Sequence, residues 1–215
     1  MTEYSVKALN GLRDMSNFQW YVIPLLAIVM YIYSAELRKA GKSGNYDAIF
    51  AGLTLFGMDF INETWNGWVL NLTGYSAFWT APGPTALRTM VGWNIEIMFM
   101  FSIAGIIFYN TCPDSRKMFG IPGRWLWAVI YAAFCVVVEC FLNAGGALVW
   151  VYPFWNFSIT GIWLIFFIGY FHFFVAVILV LSLKKTTSKV IAVGGIYMTA
   201  ILANVIAMGF LGWKY

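Results

Sequence analysis

Five ionisable side chains, Asp59, Glu63, Glu96, Glu139 and His172, sit in stretches of sequence that are otherwise almost wholly apolar. An acid at the centre of a membrane-crossing helix costs about 2.5–3.5 kcal/mol on insertion scales, so such groups face a bundle interior, find partners and mark functional sites. Their spacing gives them a common direction. Asp59, Asn62, Glu63 and Asn66 follow the i, i+3, i+4, i+7 pattern and form one polar stripe on a helix. Glu139 and Asn143 make an i, i+4 pair. Asn94 and Glu96 stand roughly 200° apart at the helical period and do not both face one site. Glu96 is the expected member, and Asn94 is left to a neighbouring helix.

Carboxyl groups in apolar surroundings resist ionisation, so one of a set can stay a neutral acid while a partner is ionised. That arrangement suits proton-driven isomerisation or cyclisation of a lipid-soluble substrate, with aromatic faces to stabilise a cationic intermediate. Glu63, Glu96, Glu139 and His172, with Asp59 deeper, are the expected catalytic groups. Asn62, Asn66, Asn143 and Asn204 are the expected polar contacts to substrate, and Trp65, Trp79, Trp150 and Trp155 its expected aromatic walls. No cofactor is required by this reading. A metal ion is an alternative, since acids and a histidine resemble in kind the ligands of a metal-holding bundle, but the Glu-x-x-His spacing of di-iron bundles does not occur around His172. A single histidine excludes a haem held by two, and no lysine lies in the interior of an apolar span for a Schiff base, Lys189 standing at the edge of the last. Two other classes stay open. A small proton- or cation-coupled transporter would use the same buried carboxyls. A membrane subunit of a larger complex would pack a partner helix on small residues such as Gly194, Gly195, Ala200, Ala203 and Ala207.

The elements that must position these groups follow from composition. Of 215 residues, 61% are hydrophobic and 10% charged, where a soluble domain has about 25% charged. Six apolar stretches, 18–36, 47–73, 88–110, 124–150, 159–183 and 188–213, reach the roughly 20 residues that cross a hydrocarbon layer. The expectation is an all-α integral membrane protein, a bundle of about six transmembrane helices forming one domain over 1–215. Its first span stays in the mature chain, because the start shows no apolar run with a small-residue cleavage site.

Arg38, Lys39 and Lys42, then Arg116, Lys117 and Arg124, then Lys184, Lys185 and Lys189 fall in alternate loops, which the positive-inside bias places in the cytoplasm. Both termini then face the outer side. The net charge of +4 is accounted for by these loops and calls for no nucleic acid. The expected partners are the lipid bilayer and a hydrophobic small molecule. At a rise of 1.5 Å per residue, Glu63, Glu96, Glu139, His172 and Asn204 all fall near one level in the outer half or middle.

The two outer loops, LTGYSAFWTAPGPTAL and GGALVWVYPFWNFS, are rich in Trp, Phe and Tyr. They suit an aromatic belt at the headgroups, or a lid folded inward over a cavity. Glu63, Asn66 and Gly67 precede one loop as Glu139, Asn143 and Gly145 precede the other, a faint repeat of helical hairpins. Cys112 is placed in a cytoplasmic loop, and Cys135 and Cys140 in a span, so no disulfide is expected. Phosphate-binding loops, nucleophile elbows and zinc-ligand spacings are not found.

Overall fold

The computed structural model describes residues 1–111, 117, 118 and 120–215. Arg116 and Cys112, assigned above to a cytoplasmic loop, lie outside the described residues. A short helix α1, Glu3–Asn10, is capped by Thr2, whose hydroxyl accepts from the Ser5 N–H. Long helices follow: α2 Val22–Ser43, α3 Asp47–Thr73, α4 Ile95–Thr111, α5 Gly123–Ala144, α6 Ile159–Ser182 and α7 Thr186–Phe210. Of these, α5, α6 and α7 are long and apolar enough to cross a membrane, with mean hydropathies of 2.1, 2.7 and 2.1. The protein is an all-α integral membrane protein.

Helix α3 is the centre, with α4, α6 and α7 packed around it, α2 against α4, and α5 against α6. This is why the polar stripe sits on α3: Asp59, Asn62, Glu63 and Asn66 are all buried. The α3–α4 seam is closest at Gly105, where a Cβ would lie 2.1 Å from the Ala51 carbonyl oxygen, so only glycine fits. Two π-helical segments, Ile165–Phe171 in α6 and Val205–Phe210 in α7, widen their helices and shift backbone carbonyls out of the usual ladder.

The chain runs back and forth between two ends. At one end the termini meet the aromatic loops: the Thr2 N–H donates to Tyr75 O (2.9 Å), and Asn71 Nδ2 donates to Lys214 O (3.0 Å). At the other, Lys189 pairs with Asp47, and Glu36 accepts from Lys39 (2.7 Å) and Asn110 (3.2 Å). Lys189 is thus a buried ion-pair partner at the start of α3.

Two expected spans are corrected at the ends that meet the aromatic loops. Residues 88–94 do not begin a helix; they form the hairpin of β2, Arg88–Met90, with β3, Trp93–Asn94. Helix α4 starts only where the Asn94 side chain caps it by accepting from the Ile97 N–H (2.9 Å). Asn94 therefore serves as a cap and contacts no neighbouring helix through that bond. Helix α5 stops at Ala144, ahead of Gly146 with its left-handed φ of 70°, and residues 149–150 become a strand. The first span is likewise shifted, from 18–36 to Val22–Ser43, behind a 3₁₀ turn at Met15–Asn17.

The two aromatic loops fold inward and join. Strand β1, Trp79–Thr80, pairs antiparallel with Val149–Trp150, which sets Trp79 opposite Trp150. Arg88 ties the first loop down from within. Its guanidinium donates to Ala81 O (2.7 Å), Gly83 O (2.7 Å) and Ala8 O (3.5 Å). Burial pushes the Arg88 pKa down, and the nearby Glu96 carboxylate opposes that shift.

Candidate functional site

Asp59 and Glu63 are one helical turn apart on α3 and line the same cavity as Glu139, which reaches it from α5. Each of the three carboxylates is held by an indole N–H. Trp93 Nε1 donates to Asp59 Oδ2 (2.7 Å), Trp79 Nε1 to Glu63 Oε1 (2.7 Å) and Trp150 Nε1 to Glu139 Oε1 (2.8 Å). Glu139 has a second donor in the Tyr170 hydroxyl, which bonds its Oε2. Glu63 Oε2, by contrast, is buried with no hydrogen-bond partner. The same is true of Trp155 Nε1, on a side chain that is 1% exposed and also lines the cavity. One unpaired oxygen and one unpaired N–H therefore stand in the same wall, where orphaned polar atoms are expensive.

Apart from Asn62, the rest of the lining is apolar or aromatic, with Leu148, Phe101, Met100 and Phe134 among it. No Lys, Arg or His lines it among the described residues. The indole of Trp79 is fixed by Trp65, edge-on at 5.3 Å, and by Trp155, stacked at 5.6 Å. Gly92 closes over it: a Cβ there would sit 2.6 Å from Glu63 Oε2 and 2.5 Å from Trp79 Cδ1. The cavity has a volume of about 60 Å³, room for a few waters or the thin end of a larger molecule.

The two loops are anchored in parallel ways. Asn66 accepts from the Phe78 N–H (2.9 Å) and donates to Trp79 O (2.9 Å), holding β1 over Glu63. Asn143 donates to Leu148 O (3.2 Å), holding the strand that carries Trp150 over Glu139. Each hairpin thus pairs a glutamate with a tryptophan from its own loop and an asparagine that clamps that loop. The faint repeat in the sequence has a geometric counterpart.

Of the residues expected to form one site, the structure brings together Asp59, Glu63, Glu139, Asn62, Trp79 and Trp155 at the cavity wall. Trp65, Trp150, Asn66 and Asn143 stand immediately behind them as partners. Three are placed elsewhere. Glu96 accepts from the Tyr21 and Thr85 hydroxyls and the Ala86 N–H (2.9 Å), outside the cavity at the start of α4. It moves away because α4 begins at Ile95, so depth counted from Arg88 does not apply. His172 Nδ1 lies 3.1 Å from the Phe167 carbonyl oxygen, which belongs to the π-helical segment, and the ring is not in the cavity wall. Asn204 bridges α7 to Thr64 (2.6 Å) and to the Tyr215 hydroxyl (2.9 Å). The π turn also accounts for Asn62, which donates to Gly169 O (3.3 Å).

Sequence reasoning missed Trp93, Tyr170 and Gly92. Tyr170 was findable as a phenol within an apolar span, but indole donors and a glycine in a loop look like ordinary membrane composition. Among the described residues no three His, Cys, Asp or Glu side chains come together as a metal-ligand set.

A family model described as an uncharacterized membrane protein family matches residues 2–209. A protein of Archaeoglobus fulgidus is 42% identical over 214 residues, which cover 99% of this chain and 99% of its own length. No solved structure matches.

Proposed function

We propose, for a chain that belongs to this uncharacterized membrane protein family, that the carboxyl cavity is an acid and base site acting on a lipid-soluble substrate, which it isomerises or cyclises within the bilayer. The observation that carries the reading is the asymmetry between two glutamates facing one apolar space. Glu139 accepts two hydrogen bonds, from Trp150 and Tyr170, an arrangement suited to a carboxylate that takes a proton. Glu63 accepts one, from Trp79, and its free oxygen is the one positioned to hold and deliver a proton. Pairs of titratable groups in unlike surroundings are how acid and base roles are separated. Asp59, one turn along α3 and held by Trp93, is a third carboxyl of the same wall. Proton delivery and removal leave the substrate's composition unchanged, so no oxidant or second substrate is needed. The faces of Trp79, Trp155 and Phe101 offer stabilisation to a cationic intermediate.

In this reading all six long helices cross the membrane. Both termini, with the aromatic loops, lie on the outer side, and the ends carrying Lys42 and Lys184 face the cytoplasm. The basic loops and the meeting of the termini at the aromatic end support that placement.

The test is to extract lipids from cells making the wild-type protein and from cells making a Glu63→Gln, Glu139→Gln variant. A species of unchanged mass but altered chromatographic mobility is expected with the wild type alone, while both proteins melt alike in detergent. A product made equally by the folded double variant would sink the acid and base reading.

A further inference from the structure

The cavity is not closed on all sides. Its back is α3 and α6, and its flanks are α4, through Ile97, Met100 and Phe101, and α5, through Phe134, Val138 and Leu142. Toward their cytoplasmic ends these two helices are pinned: the Phe108 and Tyr131 rings meet at 5.6 Å, and the Thr111 and Tyr131 hydroxyls are 2.9 Å apart. Beyond these contacts the two helices do not form a closely packed pair, and each packs on its own neighbours, α4 on α3 and α5 on α6. Between them, Met100 (44% exposed) and Phe134 (64% exposed) belong both to the cavity wall and to the surface of the protein. On a helix in a bilayer that surface is lipid. A molecule dissolved in the membrane reaches the carboxyls through the gap without passing through water.

The cavity wall also holds the two side chains with unpaired polar atoms, Glu63 with Oε2 and Trp155 with Nε1, which are 4% and 1% exposed. The indole can only donate. A protonated Glu63, whose Oε1 is already occupied by Trp79, presents its proton on Oε2 and also donates. Two unpaired donors on side chains that line one cavity call for an acceptor oxygen. A carbonyl oxygen takes both hydrogen bonds with its two lone pairs and brings no charge into a wall that already holds three carboxyls. An anionic headgroup would be repelled by those carboxyls, and an ammonium would leave the Trp155 N–H orphaned. The small free volume admits a chain end but no bulky head.

We propose that the gap between α4 and α5 admits from the bilayer an apolar chain ending in a β,γ-unsaturated ketone or aldehyde, whose oxygen is bound between Trp155 Nε1 and Glu63 Oε2 and whose enol is a conjugated dienol. The proposal rests on the acid and base reading and names its substrate class. Glu63 gives its proton to the carbonyl oxygen while the Glu139 carboxylate removes a proton from the adjacent carbon, and the electron pair of that C–H bond forms the C=C of an enol. Glu139 then returns its proton to the distal carbon of the conjugated system, and the enol O–H proton goes back to Glu63. The net change is a shifted double bond, with every proton returned. The two donors act where negative charge develops on oxygen, which is where preorganised hydrogen bonds accelerate such reactions most.

The test uses the full chain in lipid nanodiscs and two photoreactive probes, a long-chain methyl ketone with a mid-chain diazirine and the matched hydrocarbon. Crosslinks are mapped by peptide mass spectrometry. The ketone should label the peptides bearing Met100 and Phe134 about tenfold more than the hydrocarbon does, by the size of a buried hydrogen bond lost. Trp155→Phe, which keeps the ring and removes the donor, should bring the ketone down to the hydrocarbon level. Equal labelling by both probes in the wild type overturns the proposal and needs no variant to fold. Labelling by the ketone at sites remote from α4 and α5 overturns it too. If the ketone labels as expected while Glu63→Gln, Glu139→Gln leaves lipid turnover intact, the acid and base reading fails and the binding inference stands. If that variant loses turnover but the ketone shows no selective labelling, the binding inference fails and the acid and base reading stands.

Discussion

Replacing Gly92 by alanine adds one methyl group at the tightest point of the site. Its Cβ would lie 2.5 Å from Trp79 Cδ1 and 2.6 Å from both Trp79 Nε1 and Glu63 Oε2, where ordinary contact begins at 3.4 Å. Something must therefore retreat by close to 1 Å. The Trp79 indole has nowhere to go, being stacked on Trp155 at 5.6 Å and met edge-on by Trp65 at 5.3 Å. Glu63 is the softer partner, but swinging it away breaks the 2.7 Å bond from Trp79 and leaves both groups unpaired. Overpacking costs about 1–3 kcal/mol, and a buried polar group stripped of its partner costs about 1–3 kcal/mol more. Together these lower the melting temperature by about 5–15 °C for a chain of this size. Thermal unfolding in detergent, followed by circular dichroism, reads the shift. Gly195→Ala is the control, because no heavy atom lies within 4 Å of a Cβ there. That change should be neutral or stabilising by up to about 1 kcal/mol from helix propensity. A Gly92→Ala protein that melts with the wild type would refute the packing argument, and with it the claim that the Trp79–Glu63 pair is held rigidly.

Arg88→Ala should release the first aromatic loop, because the Ala81 and Gly83 carbonyls each lose a charged donor at 2.7 Å, a bond worth about 1.5–3 kcal/mol. Faster protease cleavage within residues 81–85 is the expected readout, with Arg88→Lys restoring only part of the protection, since an ammonium lacks the fork; wild-type cleavage rates in Arg88→Ala would count against the clamp. For topology, single cysteines at Tyr75 (49% exposed) and at Lys42 are introduced into a chain lacking Cys112, Cys135 and Cys140. In intact cells an impermeant thiol reagent should modify the first and spare the second, and the opposite pattern would invert the placement of the aromatic end.

The sequence by itself determined the solvent and the facing. Apolar composition demands a bilayer. The 3.6-residue period of α3 places Asp59, Asn62, Glu63 and Asn66 on one side whatever surrounds them, because helical facing is a local property. Glu139 with Asn143 was readable on the same ground. Tertiary structure decided where helices begin, and that removed Glu96: seven residues spent on the β2–β3 hairpin shift α4 along its axis, and a depth counted from Arg88 is lost. It decided His172 as well, because a π-helical turn, invisible in the apolar run around it, supplies the carbonyl beside which the imidazole lies. The tryptophan donors and the glycine that lets Trp79 approach Glu63 were beyond local reasoning for a different reason. An indole N–H reaches its carboxylate only when two loops, far apart in the chain, pair Trp79 with Trp150 across a strand. That pairing exists only once the helices beneath have brought the loops together.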